Sequence, residues 1–121
     1  MNKKLGVQVV YLFNSGFAVK LGERVLIFDY YNPMSLKRHK GPDSGVIDPE
    51  ELRDLDVTVF ASHAHIDHFT PAVLKWGREI HNLRYVLSYD IKTGQTPNVT
   101  KVYPNTDYKA GGISVRTLKS T

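Results

Sequence analysis

The sequence predicts an α/β chain on an α+β-like mixed sheet. Three observations predict it. Three strand-like segments come first, separated only by turn signals. Two helix starts follow, on either side of a buried strand. Short strand segments close the chain.

The elements follow in order. Val7 to Phe13 is rich in β-branched and aromatic residues and reads as a strand. Asn14-Ser15-Gly16 is a turn. Phe17 to Leu21 alternates, with Phe17, Val19 and Leu21 on one side and Ala18 and Lys20 on the other. Gly22-Glu23 turns the chain again. Val25-Leu26-Ile27-Phe28 is continuously apolar, as expected of a strand covered on both faces, and ends at Asp29. The opening therefore predicts a three-strand meander. Residues 30–47 lack periodicity and read as a long loop. Asp48-Pro49-Glu50-Glu51 starts a short helix: a capping Asp, Pro at the first helical position and Glu three residues after the cap. Val57 to Ala61 is the next strand. Thr70-Pro71 starts a second helix, with Val73, Leu74, Trp76 or Gly77, and Ile80 at helical spacing. Tyr85 to Ser88, Val99 to Tyr103 and Ile113 to Leu118 are further strands. Asn105-Thr106-Asp107 and Gly111-Gly112 are turns.

Composition narrows the function classes. With 121 residues, the expectation is one domain over 1–121. At 41% hydrophobic and 23% charged the chain is within the globular range, which argues against disorder. It has no cysteine, which removes disulfides and thiolate metal sites and leaves imidazole and carboxylate as metal ligands. The basic start Met1-Asn2-Lys3-Lys4 is followed by apolar residues broken by Gln8 and Asn14, and no apolar run approaches a membrane span. The expectation is a soluble, cytoplasmic protein with no membrane partner. Net charge is +4, but only Lys37-Arg38-His39-Lys40 clusters, and no basic stripe with interleaved aromatics appears. A nucleic-acid partner is therefore not expected. Asn98-Val99-Thr100 matches a glycosylation acceptor by chance. His81, after the second helix, reads as structural.

One segment carries chemistry: His63-Ala64-His65-Ile66-Asp67-His68. His63, His65 and Asp67 lie at i, i+2 and i+4, so in extended chain leaving a strand they point the same way. His68 breaks the alternation where the chain turns toward the next helix. Three imidazoles and a carboxylate suit zinc, manganese or iron better than calcium or magnesium. With five His and eight Asp, chance placement yields this pattern in about five of ten thousand such chains.

His63-x-His65-x-Asp67-His68 after an apolar strand resembles the signature of the metallo-β-lactamase fold. The meander from Val7 to Asp29 looks like that family's opening strands. Ser62-His63-Ala64-His65-Ile66-Asp67-His68-Phe69 most resembles its broad branch of metal-dependent hydrolases. The resemblance implies half of an αβ/βα sandwich, its N-terminal half. It implies a dinuclear site, with His63 and His65 on the first metal and Asp67 and His68 on the second. Zinc comes first, with manganese or iron as alternatives. Activated water would attack an ester, phosphoester or amide bond of a small-molecule substrate. Asp67 would also act in catalysis by orienting that water. Asp29 would prop the histidine loop from outside the ligand set.

In that family the remaining ligands come from a second half. His39 and His81 do not occupy family ligand positions. The expectation is an incomplete site, with partial or no metal occupancy in this chain. A homo-oligomer or a partner would then supply the missing half and cover an otherwise exposed apolar sheet face. The alternative is a half-domain without catalysis that serves as an oligomeric binding or assembly module.

Overall fold

The computed structural model describes residues 6–12, 16–31, 46–64 and 68–119. Strands β1 (Val7–Tyr11), β2 (Phe17–Leu21) and β3 (Arg24–Phe28) form the antiparallel meander. Strands β4 (Asp56–Ala61), β5 (Asn82–Ser88) and β6 (Val99–Val102) continue the sheet in parallel with β3. The result is one mixed six-stranded sheet in sequence order, β1 to β6. Strands β7 (Asp107–Ala110) and β8 (Ile113–Arg116) form a separate antiparallel hairpin. No helix among the described residues is long and apolar enough to cross a membrane.

The sequence pattern does not foresee β7. Its first residue, Asp107, belongs to a turn signal and the other three alternate weakly, so pairing with β8 makes them a strand. The turn between them, Gly111-Gly112, has φ of +56° and +81°. A two-residue hairpin turn needs positive φ at both central positions, and glycine supplies it without strain.

Both expected helices are 3-10 helices, at Pro49–Leu52 and Pro71–Arg78. The first starts as its sequence indicates. The Asp48 side chain accepts the Glu50 N–H at 3.1 Å, and Pro49 follows the cap. The second buries Val73 and Trp76, which are three residues apart. In a 3-10 helix such residues eclipse and form one ridge, so the threefold repeat serves burial here as a 3.6-residue repeat would elsewhere. Ile80, buried one turn on, closes it with an N–H bond to the Trp76 carbonyl.

The helices and crossovers cover one face of the sheet. Val25, Ile27, Val57, Val59, Leu83, Tyr85 and Leu87 point into this core beside Val73, Trp76 and Ile80. Tyr85 Oη donates to the Val73 carbonyl, tying the second helix to β5.

The other face corrects the expectation for β3. Val25 and Ile27 are buried, but Leu26 and Phe28 are only half-buried. Among the described residues, no helix packs on their side. Phe17, Phe28 and Phe60 stack there across three strands, with centroids 4.9 and 4.6 Å apart. Toward the β1 edge the same face leaves Val9 and Tyr11 68% and 69% exposed, with Val7, Phe17 and Leu21 also exposed.

At the start of the parallel strands this face carries ions. Arg84 donates to Asp56 and to Thr58 Oγ1, and Arg24 approaches the second oxygen of Asp56 at 3.6 Å. Thr58 is fully buried. The Gly111 turn sits directly on Arg84: a Cβ at Gly111 would fall 2.3 Å from Arg84 Nε.

Candidate metal centre

Parallel strands end together, so β3, β4 and β5 deliver their following residues to one edge. That edge is where open α/β sheets place ligands. Asp29 follows β3, Ser62 and His63 follow β4, and Asp90 follows β5. The pairing of Ala61 with Leu87 sets the residues after β4 and β5 side by side.

Asp29 leaves its strand at φ +51°, a conformation that Asp tolerates better than most residues, while its N–H still bonds the Phe60 carbonyl. The kink aims its carboxylate at the β4 end. Oδ1 accepts the Ser62 N–H at 2.7 Å, and Oδ2 accepts the Ser62 hydroxyl at 2.8 Å. Oδ2 also lies 3.2 Å from His68 Nδ1. Gly16 makes room for this bend, since a Cβ there would meet the Asp29 carbonyl oxygen at 2.7 Å.

The two imidazoles lie together. Their ring centroids are 4.7 Å apart and the planes are tilted by 46°. His63 Nδ1 lies 2.8 Å from Ser62 Oγ. Buried Ala61, Phe69, Leu87 and Ile91 belong to the apolar core that the edge adjoins. On the β5 side, Asp90 is held below the ordinary carboxylate range. The Ser88 hydroxyl donating to it is the first cause, followed by the backbone N–H groups of Ala64 and Asp90 and the positive charge of a protonated His63. Partial desolvation works the other way.

Of the motif residues, His63 and His68 are thus brought together beside Asp29. His65 and Asp67 lie outside the described residues, as do His39 and the rest of the Lys37–Lys40 cluster. His81 is elsewhere. It precedes β5 and faces Asp54 at 3.5 Å, so the seven residues of β5 separate it from Asp90 by about 23 Å. Among the described residues, no group of three or more His, Cys, Asp or Glu is arranged to hold a metal ion. The donor chemistry nonetheless fits a borderline divalent ion: two adjacent imidazoles, both with Nδ1 engaged inside the protein, so that Nε2 is the nitrogen each would offer.

Sequence reasoning passed over Ser62, Ser88 and Asp90. The signal that finds them is positional: polar residues at the ends of neighbouring parallel strands. It becomes readable only once the strand pairing is known.

No protein-family model matches the chain, and no curated protein matches it.

Proposed function

We propose that the chain forms the N-terminal half of a metallo-β-lactamase-fold hydrolase, with a metal-dependent site at the edge described above. The observation that carries this reading is the His63–His68 pair, 4.7 Å apart after a parallel strand and braced by Asp29 from the next one. His63 and His65 would hold one ion and Asp67 and His68 a second, zinc first and manganese or iron as alternatives. When bound, the ions would supply water activation and charge stabilisation. Asp67 would orient the water, and Asp29 would keep the imidazoles in place. The substrate is a small molecule with a hydrolysable ester, phosphoester or amide bond. A further segment or a partner would complete each ion's shell, because a catalytic zinc takes about three protein ligands. A reducing cytoplasm suits a chain without cysteine.

Titration of the purified protein with zinc, manganese and iron tests the reading. The expected result is binding that falls about tenfold or more in His63→Ala and His68→Ala. No binding of any of the three ions, even after loading with excess metal, counts against a working site.

A second reading is favoured by a separate observation, the exposed Val7, Val9, Tyr11, Phe17 and Leu21. Contiguous exposed apolar surface marks interfaces. On this reading the chain is an assembly module that pairs with a second copy through the β1–β2 side of the sheet. Sedimentation at micromolar concentration decides it: a dimer that Val9→Glu dissociates supports it, and a clean monomer removes it.

A further inference from the structure

The hydrogen bonds around Ser62 determine where protons sit on the two imidazoles. A serine hydroxyl has one proton to donate. Ser62 Oγ lies 2.8 Å from Asp29 Oδ2, and a carboxylate oxygen can only accept. That bond uses the proton. Toward His63 Nδ1, also at 2.8 Å, Ser62 Oγ can then only accept, so Nδ1 must carry a hydrogen. His68 Nδ1 faces the same Asp29 oxygen at 3.2 Å and must carry one too. A single carboxylate therefore reaches both rings, one directly and one through the hydroxyl.

We infer that Ser62 is a positioning residue, which with Asp29 locks neutral His63 and His68 in the Nδ1–H form and turns Nε2 of each into the ligating nitrogen. Its metal-facing half rests on the hydrolase reading, whereas the proton placement does not. Asp29 also accepts the Ser62 N–H at 2.7 Å, so the backbone from which His63 springs is held by the same group. Loss of the hydroxyl alone leaves that backbone bond in place. This separates orientation of the ring from support of the loop.

Two readouts on the full chain test it. The first is nitrogen-resolved NMR of the metal-free protein at alkaline pH, where the imidazoles are neutral. Both rings are expected as Nδ1–H in the wild type. In Ser62→Ala, His63 shifts toward the Nε2–H form while His68 keeps its own, and Ser62→Thr, which retains the hydroxyl, preserves both. The second readout is zinc affinity by chelator competition. It is expected to fall about tenfold in Ser62→Ala and to recover in Ser62→Thr, as for groups that orient metal ligands. A wild-type His63 in the Nε2–H form overturns the inference, as does a Ser62→Ala protein with unchanged tautomer. If the wild type binds no zinc but shows both Nδ1–H forms, the hydrolase reading fails and the orienting role of Ser62 stands.

Discussion

The two ends of the parallel strands carry polar clusters of opposite design. At the N-terminal ends, Arg84 and Arg24 converge on Asp56, and Thr58 and Asn82 take further guanidinium donors. The β7–β8 turn closes over them at Gly111. At the C-terminal ends, Asp29 and Asp90 flank His63 and His68, whose side chains are only half-buried. The first cluster directs the Arg84 donors to its own acceptors on Asp56, Thr58 and Asn82. The second spends carboxylate and hydroxyl groups on orienting two imidazoles. Charges gathered for stability satisfy one another. On the hydrolase reading proposed above, the second cluster is arranged around an ion that the protein does not itself provide.

This contrast can be broken from either end. The largest effect is expected for Asp56→Ala, which leaves Arg84, whose side chain is 18% exposed, without its carboxylate. Chemical denaturation should record a loss of about 3 kcal/mol. A loss under about 1 kcal/mol would mean that the cluster is not structural. Next comes Gly111→Ala. It places a Cβ against Arg84 at a φ of +56°, and about 2 kcal/mol should be lost as the hairpin lifts or the guanidinium shifts.

Midway along β5, Tyr85 provides a neutral reference between the two ends. Tyr85→Phe leaves the Val73 carbonyl without its donor, and about 1 kcal/mol should go. Burial pushes the Tyr85 phenol up to about 12. The unfolded chain ionises earlier, from about pH 10. Stability linked to the neutral phenol therefore holds below pH 10 and drains away between about 10 and 12. Alkaline denaturation of Tyr85→Phe should lack this component, and an unchanged profile would sink the assignment.

The smallest effect on folding belongs to the candidate site. Metal-free His63→Ala should change stability by less than about 0.5 kcal/mol, or raise it, because groups positioned for a ligand are rarely positioned for stability. A loss as large as that of Asp56→Ala would turn the histidine pair into a structural element and erase the contrast.

Legibility in the sequence follows the range of the interactions. The meander was readable because Phe17–Leu21 alternates and the turn at Gly22 is a local signal. Asp48-Pro49 announced its helix for the same reason. The cover on β3 was misjudged. Val25-Leu26-Ile27-Phe28 is apolar throughout, yet whether a layer lies on each face depends on distant segments. β7 was missed because its strand state depends on β8. In the candidate site, the histidines were conspicuous by spacing. Asp90 was not, because it is 27 residues from His63 and joins it only through the register of β4 with β5.

By itself, the sequence determined the chemical character of the site: imidazole and carboxylate without thiol, at the end of an apolar strand. It also determined the local elements, since turns, caps and alternation act over a few residues. Only the tertiary structure decided which side chains share the edge, which face of the sheet the described helices cover, and which nitrogen of each histidine faces a partner within the protein. These depend on parallel pairing between strands separated by long crossovers, and backbone pairing of that kind leaves no period in the sequence to read.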